Sequence, residues 1–153
     1  MTAVEGIRQI LLGNPNAKVL ACAPSNSAAD IIAQRLIRSG LGVLEVFRLN
    51  APSRPPGDLP EDLRPYTLLL PVETAHLPEY IRNRGNRNDI FGSPSKEKLM
   101  KYKVIVTTCV QGCVPHGIGI PRGHFSHILV DEAGQALEPE VMIPIRVSDL
   151  GLS

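Results

Sequence analysis

The sequence predicts an α/β domain with a mainly parallel sheet flanked by helices and a loop-rich insertion. Three observations predict it. Short uninterrupted apolar runs recur along the chain, segments of helical periodicity alternate with the first of them, and the best-formed runs end abruptly in polar groups, Gly or Pro. Strands covered by helices on both faces need continuous rather than alternating hydrophobicity, which is the pattern these runs show. With 153 residues, of which 43% are hydrophobic and 20% charged, the chain can bury one such core.

From Thr2 to Leu12 the apolar residues Val4, Ile7, Ile10 and Leu11 recur at helical spacing, and Gly13 with Pro15 ends the pattern. The run KVLACA (Lys18–Ala23), bounded by Pro24, reads as a buried strand. In SNSAADIIAQRLIRSG one of Ser25, Asn26 or Ser27 caps a helix with Asp30 in its first turn. Ile31, Ile32, Leu36 and Ile37 form its apolar stripe, and Gly40 stops it. VLEVFRL, from Val43, is the second strand.

Between residues 50 and 94 the order breaks, because eight of the 14 prolines fall there. This segment is expected to be loop-rich with at most short helices, since Pro removes a backbone donor and interrupts helices. A helix over SKEKLMKY (Ser95–Tyr102) then leads into the strands KVIVTT and HILVDE, and a short helix is expected near residues 138–143.

Net charge is +1, but residues 82–103 hold seven Lys or Arg against Asp89 and Glu97, a distribution suited either to phosphates or to a solvated face. No stretch approaches the ~20 apolar residues of a membrane span. Three cysteines are too few for a disulfide framework and fit a reducing compartment, cytoplasmic or nuclear. Cys109, Cys113, His116, His124 and His127 raise the alternative of a zinc site, although they straddle a strand end, a loop and the next strand.

In an open parallel sheet, ligands bind beyond the carboxyl ends of the strands. Ser25, Asn26 and Ser27, then Thr107 and Thr108, then Asp131 and Glu132 all stand at such ends. The adjacent carboxylates suit a nucleoside triphosphate with Mg²⁺: Asp131 would hold the ion through water, and Glu132 would act as general base toward the attacking water. A plainer alternative is that Asp131 caps a turn and Glu132 is a first-turn helix acid.

APSNSAAD (Ala23–Asp30), VIVTT (Val104–Thr108) and VDEAGQALEPE (Val130–Glu140), in that order, resemble the first motor domain of superfamily 1 helicases. Within that superfamily they are similar to the group of the nonsense-mediated-decay helicase and the armitage-like RNA-silencing helicases. The resemblance implies a partial P-loop NTPase (RecA-like) fold over residues 1–153, with ATP and Mg²⁺ as cofactors of the intact parent. It implies that Asp131 is the magnesium-side acid, Glu132 the catalytic base and Gln135 a contact sensing nucleotide state. Pro24, Ser25, Asn26, Thr107 and Thr108 would lie on the path of single-stranded RNA, or of DNA less readily.

The group's phosphate cradle, G-x-x-x-x-G-K-[ST], does not occur in this sequence. The expectation is therefore a fragment of an ATP-dependent RNA helicase, inactive alone and completed by the remainder of the helicase core, with no membrane partner. The alternative is a non-catalytic RNA- or protein-binding module derived from a helicase.

Overall fold

A computed structural model describes residues 2–71 and 89–131. Helix α1 spans Ala3–Gly13, and its first turn is closed by the Thr2 hydroxyl accepting from the Glu5 amide at 3.2 Å. Strand β1 (Val19–Ala23) follows, and every one of its residues is buried. Helix α2 (Asn26–Arg38) is capped by Ser25, whose Oγ accepts from the Ala28 amide at 3.2 Å. It ends where Gly40 adopts φ 111°: the amides of Gly40 and Leu41 return to the carbonyls of Ile37 and Leu36, consuming orphan acceptors of the last turn. Only a residue without Cβ takes that backbone conformation without strain.

The remaining elements are β2 (Val46–Arg48), the 3₁₀ turns η1 (Pro56–Asp58) and η2 (Glu61–Tyr66), β3 (Leu69–Pro71), β4 (Asp89–Phe91), α3 (Lys96–Leu99), β5 (Val104–Thr108), η3 (Val110–Cys113), α4 (Val114–Gly117) and β6 (His127–Val130). Strands β2, β5, β1 and β6 form a four-stranded sheet in that order, with every pairing parallel. The parallel sheet and its flanking helices agree with the partial P-loop NTPase domain that the resemblance implies. Strands β3 and β4 pair antiparallel as a separate two-stranded sheet.

Side chains alternate across a strand, so each strand supplies both faces. Val19, Ala21, Ala23, Val104, Val106 and Val46 join one buried cluster under α1 and α2. Leu20, Cys22, Ile105, Phe47 and Leu49 join a second cluster with Leu99, Tyr102, Ile120 and Phe125 on the opposite face. The ring of Tyr102 packs 5.2 Å from that of Phe47, beyond the C-terminal end of α3. Helix α3 thus stops at Leu99, short of the Tyr102 to which the helix over SKEKLMKY was expected to run.

Several expectations need correction. Strand β2 begins at Val46, not Val43: Val43 and Leu44 are 45% and 82% exposed and belong to a turn. Glu45 closes that turn, with Oε1 accepting from the Gly42 amide at 3.1 Å and Oε2 paired with Lys103 at 3.1 Å. These two contacts, the Gly42 amide first, hold its carboxyl below the usual carboxylate range. Ile31, placed on the apolar stripe of α2, is 46% exposed, because Ala29, Ile32, Ala33 and Leu36 form the inward face instead. Part of the loop expected between the strands KVIVTT and HILVDE is wound into η3 and α4. The helix expected near residues 138–143 lies outside the described residues.

The Pro-rich insertion has the predicted short helical turns in η1 and η2, but it also contributes β3, β4 and a share of the core. Leu59, Leu63 and Phe91 are at most 4% exposed and pack into the cluster beneath α2. Gln34 of α2 donates to Asp62 of η2 at 3.0 Å, a second tie at the same seam. Truncating a fully buried leucine costs ~2–5 kcal/mol, so Leu63→Ala is expected to lower the unfolding free energy of a polypeptide carrying this segment by that amount, read as a lower urea midpoint with an unchanged m-value. A midpoint that does not move would show the insertion to be peripheral.

Candidate nucleotide and strand interface

Parallel pairing places three strand ends at one level. Ala23 is in register with Thr108, and Cys22 with Val130, so Asp131 comes next to Ala23 on the other side of β1. The ladder continues one bond past each neighbour: the Cys109 amide donates to the Ala23 carbonyl and the Asp131 amide to the Cys22 carbonyl, both at 2.8 Å. The opposite, amino edge is marked by Ser126, whose hydroxyl accepts from the Lys18 amide at 3.1 Å.

Asp131 is half-buried at this carboxyl edge, and none of the ion pairs among the described residues involves it. An uncommitted carboxylate at the lip of a sheet fits a water-mediated contact to Mg²⁺, which keeps much of its hydration shell. Glu132 and Gln135 lie outside the described residues.

Pro24 is half-buried, and Ser25, Asn26 and Ser27 are exposed where the chain passes from β1 into α2. The cap expected among these three residues is Ser25. Its hydroxyl accepts from Ala28, while the first amides of α2 have no carbonyl partner within the helix and face an anion favourably.

The two threonines part company. Thr108 is half-buried at the edge, but Thr107 is 0% exposed and its hydroxyl donates to the Leu49 carbonyl at 3.1 Å. The expected phosphate contact of the Thr107 hydroxyl is corrected accordingly: strand alternation turns it to the Ile105 face, where it ties β5 to the end of β2.

Beneath the α2 N-terminus lies a buried ion network that the sequence reading missed. Val46 faces α2, so Arg48, two residues on, points the same way and meets Asp30 on the inward side of that helix. Arg48 Nε donates to Asp30 Oδ1 at 2.9 Å, and Arg54 from the insertion grips the same carboxylate with Nη1 at 3.0 Å and Nη2 at 2.7 Å. Arg48 further donates to the Leu49 carbonyl at 2.6 Å and to Asn26 Oδ1 at 3.2 Å. Arg54 donates to Asn50 Oδ1 at 2.7 Å and to the Asp58 carbonyl at 3.1 Å.

Arg48 is 0% exposed, and burial draws its pKa down to about 10, opposed by the neighbouring Asp30 charge, so it is still a cation at neutral pH. Two cations against one carboxylate leave a surplus positive charge directly under the first turn of α2. The signal for this network was present in the sequence, since an Arg inside the strand VFR needs a buried acid.

An open cleft of about 510 Å³ runs from this turn along α2 to the insertion, lined by Asn26, Ser27, Ile31, Gln34, Arg54 and Pro60 among others. The zinc alternative gains no support: among the described residues no group of three His, Cys, Asp or Glu is placed to hold a metal, and Cys109 is buried while Cys113 is exposed. Burial pushes the Cys22 thiol well above its ordinary range.

Removing one partner from a buried ion network costs ~3–5 kcal/mol, because it strands the opposite charges. Asp30→Asn should therefore lower the unfolding free energy by that amount, seen as a clearly lower denaturation midpoint. Glu5→Gln, which breaks a pair with Arg8 whose side chains are 44% and 48% exposed, should leave it nearly unchanged. Equal effects of the two substitutions in thermal unfolding would contradict this account of the network.

Known proteins resemble this chain in sequence over most of its length. The AAA domain family matches residues 79–149. The protein mov-10-B.1 of Danio rerio is 41% identical over 146 residues, covering 95% of this chain and 13% of the relative. RNA helicase Mov10l1 of Homo sapiens is 34% identical over 146 residues, covering 95% of this chain and 10% of the relative. The armi protein of Drosophila melanogaster is 32% identical over 155 residues, covering 95% of this chain and 12% of the relative. The chain thus spans only 10–13% of the length of these three relatives. As a segment of that length, it belongs to the superfamily 1 helicase group that includes MOV-10, Mov10l1 and armi.

Proposed function

We propose that this segment forms part of the first motor domain of an ATP-dependent helicase that grips single-stranded RNA. The observation that carries the reading is the common level of Ala23, Thr108 and Asp131, which sets an uncommitted carboxylate beside the start of α2 on one edge of the sheet.

In this reading Asp131 orients the hydration shell of the nucleotide's Mg²⁺. The ion supplies charge neutralisation for the β- and γ-phosphates when bound. Glu132 accepts a proton from the attacking water, and Gln135 senses the state of the nucleotide. Pro24, Ser25, Asn26 and Thr108 line the strand path, together with the first amides of α2. They offer hydroxyl, amide and backbone donors to phosphate, a grip independent of base sequence. The surplus charge of the Arg48–Asp30–Arg54 network and the positive end of the helix dipole both favour an anion at that turn. The relatives named RNA helicases favour RNA as the strand. The remainder of the helicase core supplies the phosphate cradle and the second motor domain, and action in the cytoplasm or nucleus belongs to the same proposal.

Loss of a general base costs about 10²–10⁴-fold in rate. In the longest natural polypeptide carrying this segment, Glu132→Gln should therefore reduce RNA-stimulated ATP hydrolysis by that factor while leaving ATP binding intact. If the unsubstituted polypeptide shows no RNA-stimulated hydrolysis, the motor reading fails and a non-catalytic binding module takes its place.

A further inference from the structure

Asn26 stands at the first helical position of α2, exposed at the edge where the strand is proposed to pass, and it touches one fully buried side chain, that of Arg48. A guanidinium has only donors, so the atom of the Asn26 amide that faces it must be the oxygen. Arg48 Nη2 lies 3.2 Å from Asn26 Oδ1 and 3.4 Å from the Asn26 carbonyl. With the oxygen held inward, both hydrogens of Nδ2 are left on the exposed side. An asparagine free to rotate would present its acceptor to a phosphate as readily as its donors.

Each nitrogen of Arg48 is itself engaged. Nε is bonded to Asp30, Nη1 to the Leu49 carbonyl and Nη2 to Asn26, and the side chain is sealed from solvent. Asp30 is fixed in turn by the two-pronged grip of Arg54. The chain of contacts therefore runs from the Pro-rich insertion through Asp30 and Arg48 to one surface amide.

From this geometry we infer that Arg48 is a positioning residue for strand binding: by holding the Asn26 carbonyl oxygen it turns the Asn26 amide donors outward to a backbone phosphate. This rests on the reading that Asn26 contacts the strand, which the experiment tests separately.

The experiment measures affinity for a labelled oligouridine of roughly 15 nucleotides, long enough for a single-strand site, using the longest natural polypeptide carrying this segment. Four forms make a double-mutant cycle: unsubstituted, Asn26→Ala, Arg48→Lys and both together. Lysine keeps the charge beside Asp30 but loses the fork that reaches Asn26. One well-placed hydrogen bond to a charged group is worth roughly tenfold in affinity, so Asn26→Ala and Arg48→Lys should each weaken binding by that factor, with the double substitution no weaker than either alone. Losses that multiply would mean that Arg48 acts through general stability rather than through Asn26, and would overturn the inference.

A second variant does not depend on Arg48→Lys folding. Asn26→Asp keeps an oxygen toward Arg48 but replaces the outward donors with an acceptor, and it should weaken binding at least as much as Asn26→Ala. Unchanged affinity for Asn26→Asp, with Asn26→Ala weakened, would overturn the positioning role while leaving the strand contact standing. Unchanged affinity for Asn26→Ala would instead sink the strand contact itself, and this inference with it.

Discussion

The structure depends first on the pairing of β1 with two parallel neighbours. Parallel strands all leave the sheet at one edge, and the register decides which residues leave it together. Here that register brings the β1–α2 turn, Thr108 and Asp131 to a single level. Because both faces of the sheet are covered, a slip of one residue would exchange the two buried clusters and set Arg48 among the side chains packed around Phe47. The apolar content of β1 and β5 thus fixes where the polar residues at their ends can act.

The second constraint is electrostatic. Two buried guanidiniums sharing one carboxylate are a poor source of stability, because desolvating them offsets most of their attraction. Their effect is one of geometry. Asp30 can satisfy Arg48 and Arg54 together only when α2, β2 and the first part of the insertion sit in one arrangement, and that arrangement also sets the amide of Asn26. A segment that looks from its prolines like a detachable loop is in this way coupled to the turn where a strand is proposed to bind. The net positive charge left over lies where an anion profits from it.

Much of the fold was legible because short-range chemistry governs it. Thr2, Ser25 and Ser95 each accept from an amide three residues on, as side-chain caps do, and Gly40 ends α2 with the positive φ its position suggests. The four strands of the main sheet were readable as apolar runs, since burial on both faces, complete in β1 and partial in β6, leaves no alternation to misread. What escaped depends on contacts far apart in sequence. Strands β3 and β4 have three residues each, and one contains Pro71, so nothing local announces their pairing. Val43 and Leu44 are apolar yet exposed, because Glu45 bends the chain before β2 begins. Of the candidate site, the positions of the carboxylate at the end of β6 and of the exposed residues after β1 were legible, because strand ends can be read from the apolar runs. Thr107 was misjudged because its neighbour Thr108 shares its chemistry but not its face. Asp30 looked like an ordinary first-turn acid until Arg48 and Arg54 were seen to converge on it.

The claim that the carboxyl edge is the working edge is tested most directly by mapping where RNA lies. Photo-crosslinking a 4-thiouridine-substituted single strand to the full natural polypeptide, followed by mass spectrometry, should place adducts within residues 24–27 and around Thr108. Adducts confined to the amino edge, around Lys18, Lys101 and Ser126, would contradict the account.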